Sequence, residues 1–278
     1  ADTRRELERM TKLATMTSVC PDWTLDEVVA GMQRHGYQGL EPRVEWGHAS
    51  GIEKDLTAAG RGEVRRRFAD EGLSICCLAT SVKMATPEVA DRAGHVEDLR
   101  RYLELATDLG CDLIRTFGGQ RDAAAPWAMV VDYTADGYRQ VVADAAAAGV
   151  TVLMETHDDW CCSAPVRAVV EAVDHPNLRV LWDFMHSQRM METPQESFQA
   201  LGGLTRHVHA HDGNYVNGNM QVSATLGDGV IDHKTPLQLL EGDGFDGYFS
   251  VEVIHKPGSD HDVDAVLASY ATGFHSYH

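Results

Sequence analysis

Four stretches of the chain run from apolar residues straight into groups that titrate. They are TVLMETHDD (151–159), LRVLWDFMH (178–186), RHVHAHD (206–212) and YFSVEV (248–253). Burying such groups is costly unless something pairs with them. Glu155, Asp183, His209 and Glu252 offer three oxygen donors and one imidazole. That set suits one divalent ion of the manganese, magnesium, cobalt or zinc kind. Without a cation, three gathered carboxylates would repel one another. Any one of these residues alone reads as an ordinary satisfied buried group. Four at matching strand ends do not.

The residues meet only if their segments lie side by side, and the pattern supplies elements that do this. Apolar runs predict strands at 12–17, 37–42, 73–80, 111–117, 151–155, 178–183, 207–211 and 248–253. Helical stripes follow each of them. Thr24 with Glu27 forms a capping-box pattern ahead of a helix that Gly36 ends. Further helices are predicted over 57–71, from Thr86-Pro87 to Gly110, over 132–148, from a Ser163 cap, over 195–201, from Thr235 and over 262–276. The 43–55 segment is long for a connection and reads as a lid or binding loop. Eight strands alternating with helices predict a parallel sheet, and at this length a single-domain α/β (β/α)8 TIM barrel. No GxGxxG follows the first strand and no Walker motif occurs, which argues against a dinucleotide or P-loop fold.

A barrel gathers the carboxyl ends of its strands on one face. The polar residues there are Glu41, Arg115, Glu155, Asp183, His209 and Glu252. His207, His209 and His211 alternate along one strand and face the same way. His209 is the central ligand candidate. His211 is placed to touch substrate or Asp212, and His207 lies deeper. His186, just past Asp183, is within reach of a substrate oxygen or the metal. His157, two residues past Glu155, orients loop or substrate. Arg115 and Arg189 read as substrate or carboxylate clamps, or as ordinary ion-pair partners. Trp160, Trp182 and Trp46 could pack on a sugar face, although core packing is the default for any one tryptophan.

The bulk properties narrow the partners. The formal net charge is −18, which repels phosphate backbones and anionic membrane surfaces. No stretch approaches the ~20 apolar residues of a membrane span. Residues 1–11, charged and without an apolar run, are not a secretory signal. They read as an N-terminal extension or an expression remnant, with the barrel over 12–278. The six cysteines include no CxxC and form a poor disulfide framework. The protein is therefore expected to be cytoplasmic, with reduced thiols.

The segments VLMETHDD, LWDFMHS, RHVHAHD and YFSVEV, with LGDGVID at 226–232, resemble the xylose isomerase-like (sugar phosphate isomerase/epimerase) superfamily of barrels. The resemblance runs from Lys12 onward. It implies that Glu155, Asp183, His209 and Glu252 hold one divalent metal, most readily Mn2+, with Mg2+, Co2+ or Zn2+ as alternatives. It also implies that Glu155 and Glu252 are the catalytic acid/base pair and that His186 contacts substrate. His157, His211, Arg115, Trp160 and Glu41 complete the expected substrate contacts. The implied activity is isomerisation or epimerisation of a small keto-sugar, cyclitol or related polyol. It proceeds by proton abstraction beside a carbonyl through a metal-stabilised enediolate. The alternative on this scaffold is a lyase, such as an inosose-type dehydratase or a 3-keto-glycoside eliminase. A homo-oligomer, dimer or tetramer, is expected. Two departures separate the chain from ketohexose epimerases: ETHD follows the fifth strand where EPxN is usual, and no arginine follows the HxH soon after.

Overall fold

Apolar β-branched runs dominate the strands, as they must where a parallel sheet is covered on both faces. The computed structural model describes residues 11–278. The strands are β1 (Lys12–Met16), β2 (Gly39–Glu41), β3 (Ser74–Ile75), β4 (Leu78–Lys83), β5 (Leu113–Phe117), β6 (Thr151–Glu155), β7 (Leu178–Asp183), β8 (Thr205–Ala210), β9 (Asp212–Val216), β10 (Asn219–Ser223) and β11 (Tyr248–Val251). The helices are α1 (Leu25–His35), α2 (Ala58–Asp70), α3 (Val89–Leu109), α4 (Trp127–Arg139), α5 (Val142–Ala147), α6 (Ser163–Val173), α7 (Phe184–Arg189), α8 (Pro194–Leu201), α9 (Lys234–Gly242) and α10 (Val263–Ser276).

Nine strands form one parallel sheet in the order β3-β2-β1-β11-β8-β7-β6-β5-β4. The two ends of that order, β3 and β4, are halves of one stave interrupted at Cys76-Cys77. The sheet therefore closes into a ring with eight positions. Across the interruption the ring is held by Cys76 N–H to Leu40 O (2.9 Å), Ala79 N–H to Pro42 O (3.0 Å) and Val44 N–H to Ala79 O (3.2 Å). This is the expected (β/α)8 barrel.

Two cores result. The larger lies between the ring and its helices, where Val166, Val169 and Val170 of α6 and Leu99, Leu103 and Leu105 of α3 are buried. The smaller is a plug inside the ring, formed by Cys77, Leu153 and Leu181 with Leu113 against it. Strand side chains repeat every second residue. Leu153 and Glu155 therefore share the inward face, as do Leu181 and Asp183. The plug seals the barrel below, and the titratable layer lies directly above it.

Local signals account for many boundaries. Thr24 and Glu27 make the predicted capping box, and Gly36 ends α1 in the left-handed conformation (φ 76°). Thr193 and Glu196 form a second box, with Pro194 opening α8. Elsewhere the structure differs from the pattern. The helix expected over 132–148 is two helices, α4 and α5, which break at Gln140-Val141; there Arg100 takes the Gln140 carbonyl at 2.9 Å. Ser163 does not cap α6. It lies inside the helix, and its hydroxyl donates to Glu192 at 2.6 Å. The 43–55 segment is pinned at points along its length: Val44, His48 and Ile52 are buried and His48 Nδ1 meets Thr17 Oγ1 at 2.8 Å, while Trp46 between them is exposed. Residues 1–10, most of the expected extension, lie outside the described residues. All six cysteines are free. No helix of the described residues is long and apolar enough to cross a membrane.

Candidate metal centre and active site

Glu155 and Asp183 close β6 and β7, His209 lies in β8, and Glu252 follows β11. All four side chains are buried. One ligand atom from each lies within 4.8 Å of the others. His209 Nδ1 stands 3.0 Å from Glu155 Oε1 and 3.2 Å from Glu252 Oε2. Asp183 opens α7 as its N-cap, with Oδ1 accepting the His186 amide at 2.9 Å. Its Oδ2 meets His211 Nε2 at 2.8 Å.

Two observations test whether a metal fits. Glu155 Oε2 and Glu252 Oε2 are buried oxygens that make no hydrogen bond, with only Arg115 Nε (3.4 Å) and His209 Nδ1 (3.2 Å) near them, and a buried carboxylate oxygen left so is costly. The donor set, three carboxylates and one imidazole, is also that of a divalent cation site. The residues present fit such an ion. Electrostatics in the protein alone are strained accordingly. Burial pushes the Asp183 carboxyl up, against the pull of His211. Burial opposes ionisation of Glu252 as well, but His209, His211 and Arg115 outweigh it and hold Glu252 well below its usual range.

A second row sets the imidazole. Glu41 is fully buried and receives His207 Nε2 (2.7 Å), Ser250 Oγ (2.7 Å) and His209 Nε2 (3.0 Å). Burial opposes its charge, yet the two histidines hold it well below the usual carboxylate range. An ionised Glu41 can only accept. His209 Nε2 therefore carries a hydrogen, and its Nδ1 is left for the metal side. Carboxylate–histidine–metal arrangements work in this way.

Above the quartet is a cavity of about 420 Å3, lined by His157, His186, His211, Arg189 and Glu252 among others. The three imidazoles form a chain: His157 to His186 at 4.6 Å and His186 to His211 at 5.2 Å between centroids, edge to face. Burial, with His211 and His157 nearby, holds His186 well below the usual histidine range, so it is neutral. Both its ring nitrogens lack partners. Burial opposes protonation of His211 and His157, but Asp183 raises the first and Asp158 the second.

The sequence-expected contacts thus divide. His157, His186 and His211 line the cavity. Glu41, Arg115 and Trp160 do not. Glu41 lies below His209. Arg115, fully buried, stands with Nε 3.4 Å from Glu155 Oε2 and its guanidinium over Phe117, so it is the counter-charge of Glu155. Trp160 is also fully buried, edge-on to Trp127 and packed over Gly118, where a Cβ would collide with its ring.

The sequence pattern missed part of the wall. Met220 and Val222 come from the antiparallel hairpin β9–β10, and Met185, Ile254 and His255 come from α7 and the segment after β11. The hairpin had a signal in Asn217-Gly218, whose positive φ values of 51° and 79° suit a tight hairpin turn. Beneath it, Asp212 gathers the LGDG loop. Its carboxylate accepts from Gly213 (2.8 Å), Gly227 (2.8 Å), Gly229 (3.0 Å) and Ile231 (3.2 Å).

Fold and site together define a (β/α)8 barrel with a carboxylate–imidazole centre at the carboxyl ends of its strands. The chain belongs to the xylose isomerase-like TIM barrel family, whose profile matches residues 29–270. It is 25% identical over 186 residues to a 3-dehydroshikimate dehydratase of Bacillus anthracis, a match covering 66% of this chain and 64% of that protein. The chain thus spans just under two thirds of that relative's length. Among solved structures, an L-ribulose 3-epimerase superposes with a TM-score of 0.78 at 19% identity, covering 96% of this chain and 94% of that one. A structure described as IOLI protein with a binding zinc atom superposes with a TM-score of 0.80 at 17% identity, covering 94% and 96%. At these identities the structures speak for the fold. Relatives on this scaffold are enzymes, both epimerases and dehydratases.

Proposed function

We propose that the protein is a divalent-metal-dependent isomerase or epimerase of a small keto-sugar, cyclitol or related polyol. The observation that supports this reading most is the pair of buried oxygens that make no hydrogen bond, Glu155 Oε2 and Glu252 Oε2, on residues that both meet His209 Nδ1. Glu155, Asp183, His209 and Glu252 would hold the ion, and Mn2+ suits three oxygens and one nitrogen. When bound, the ion polarises the substrate carbonyl and offsets the negative charge that develops on its oxygen.

The chain's own residues supply the proton chemistry. Glu252 borders the cavity and is held ionised, so it is the base that takes the proton from the carbon beside the carbonyl. The electron pair left behind moves onto the carbonyl oxygen, giving an enediolate. Glu155, the other carboxyl of the pair, gives a proton back to carbon. Arg115 then balances the carboxylate that remains. His186, neutral and unpartnered, donates a hydrogen bond to a substrate hydroxyl. The apolar side of the cavity, with Met185, Met220 and Val253, limits water around the exchanging proton. The free thiols, five of the six buried, suit a reducing cytoplasm, and a homo-oligomer is part of the proposal.

The test is proton exchange. The Mn2+-loaded protein is incubated in deuterated water with keto-sugars, inososes and 3-keto-glycosides, and products are read by mass. Glu155→Gln and Glu252→Gln should each abolish exchange; full activity in both would sink the proposal.

A second reading, elimination, is favoured by the imidazole chain over the quartet and by the dehydratase relative. Abstraction would be the same, and a cavity histidine would protonate a departing hydroxyl or aglycone. An isomer keeps the substrate's mass, whereas elimination loses water or an aglycone.

A further inference from the structure

One arginine on the cavity wall makes no ion pair. Arg189 closes α7 and lines the cavity with His157 and His186. Its side chain makes one hydrogen bond, Nη2 donating to Cys161 Sγ at 3.2 Å. No ion pair joins it to a carboxylate among the described residues. The chain holds 42 acidic residues against 24 basic ones, so carboxylates are not scarce. Some guanidinium groups elsewhere take them, as Arg34 takes Asp264 and Arg61 takes Asp108, while others such as Arg43 and Arg92 bond to carbonyls instead. A guanidinium stays charged at any physiological pH. The Cys161 thiol cannot balance it, because burial pushes that thiol up to about 11 and keeps it neutral.

Arg189 is nonetheless held in place. The Tyr215 hydroxyl of β9 donates to its carbonyl at 2.8 Å, and Cys161 donates in turn to the Asp158 carbonyl at 3.0 Å. These contacts fix the residue and its guanidinium without neutralising it. A fixed guanidinium outside any ion pair on a substrate wall is a preorganised anion receptor. No lysine and no second arginine lines the cavity. One planar guanidinium matches a monoanionic carboxylate in two parallel hydrogen bonds. A phosphate dianion would be left half matched.

We infer that the substrate carries a carboxylate bound by Arg189, so that the protein works on polyhydroxylated keto-acids rather than on neutral sugars. The inference rests on the cavity being the substrate site proposed above.

Equilibrium binding to the Mn2+-loaded protein tests it, with D-gluconate, its neutral alcohol D-glucitol and D-glucose 6-phosphate as probes. The wild type is compared with Arg189→Gln and Arg189→Lys by titration calorimetry. Gluconate is expected to bind about tenfold or more tighter than glucitol to the wild type. It should weaken about 30-fold in Arg189→Gln and recover part of that in Arg189→Lys, with Mn2+ affinity the same in all three. Equal binding of gluconate and glucitol overturns the inference. So does gluconate binding that ignores Arg189, or Arg189-dependent binding in which the phosphate is tightest. Should the glutamine variant fail to fold, the lysine variant carries the comparison, because it keeps the charge but not the fork. Binding is read without turnover. A protein that binds gluconate through Arg189 yet exchanges no substrate proton refutes the isomerase reading and leaves this one standing.

Discussion

Glu41 Oε1 lies 3.0 Å from His209 Nε2, while the other ring nitrogen of that histidine meets Glu155 and Glu252. A residue with no place on the cavity wall thus decides which nitrogen of the candidate ligand is free. Glu41→Gln keeps the shape but removes the charge that holds both Nε2 hydrogens. Mn2+ affinity should fall about 10- to 100-fold, as read by titration with electron paramagnetic resonance. An unchanged affinity would mean that Glu41 does not set the tautomer.

The same residues predict how stability depends on pH. Burial opposes the charge on His209, but Glu41, Glu252 and Glu155 raise it well above its ordinary 6.5. A raised histidine contributes stability that is full below 6.5 and lost as pH rises through the folded value. Glu41 and Glu252 are depressed from 4.5, so theirs is present above 4.5 and lost as pH falls through the folded values. Asp183, raised by burial, partly offsets that acid-side loss. Metal-free protein should therefore be most stable in mildly acid solution and soften on the alkaline side. Mn2+ competes with the proton on His209 Nδ1, so its affinity should rise with pH and the softening should vanish. Melting temperatures between about pH 5 and 9, with chelator and with Mn2+, check both statements.

His186 belongs to a second group, with Asp183, His211 and Glu252, whose ligand atoms also lie within 4.8 Å of one another. The hydrogen-bonded tautomer of His209 favours the lower quartet. His186→Asn should then change Mn2+ affinity by less than about threefold while lowering kcat/KM by up to roughly tenfold. A collapse in affinity would move the ion to the upper group.

Asp212 and Gly229 form one clamp, for a Cβ on Gly229 would collide with the Asp212 carboxylate and the Gly213 backbone. Asp212→Ala leaves backbone N–H groups without their acceptor and should cost about 2–4 kcal/mol. Gly229→Ala should cost a similar amount. Because both break the same contacts, the double variant should fall well short of their sum. Denaturant titration of all four proteins gives the cycle, and simple additivity would refute the shared clamp.

Strand endings were the most legible part of the sequence. Glu155 and Asp183 stand out because a run of apolar residues stops at each, and period-two alternation places them over Leu153 and Leu181. What could not be read was which polar residues face the cavity and which face each other behind it. Arg115 and Glu41 look like wall residues in a strand-end pattern. Only three-dimensional pairing shows that they neutralise Glu155 and orient His209 from below. Trp160 lies off the cavity wall because it packs on Gly118, in the segment after β5, a relationship with no local sequence trace. The hairpin over the cavity was readable in Asn217-Gly218, but the loop it belongs to hid that signal.

The interrupted stave at Cys76-Cys77 has a mechanical consequence. Pairing between β2 and β3 extends over only Gly39–Ser74 and Leu40–Ile75, whereas β5, β6, β7 and β8 are laddered along most of their lengths. All four candidate ligands sit on the continuous arc from β6 to β11, away from that weak joint. The unbroken ladder thus carries the chemistry, and the broken one is bridged by the Cys76, Ala79 and Val44 amides instead.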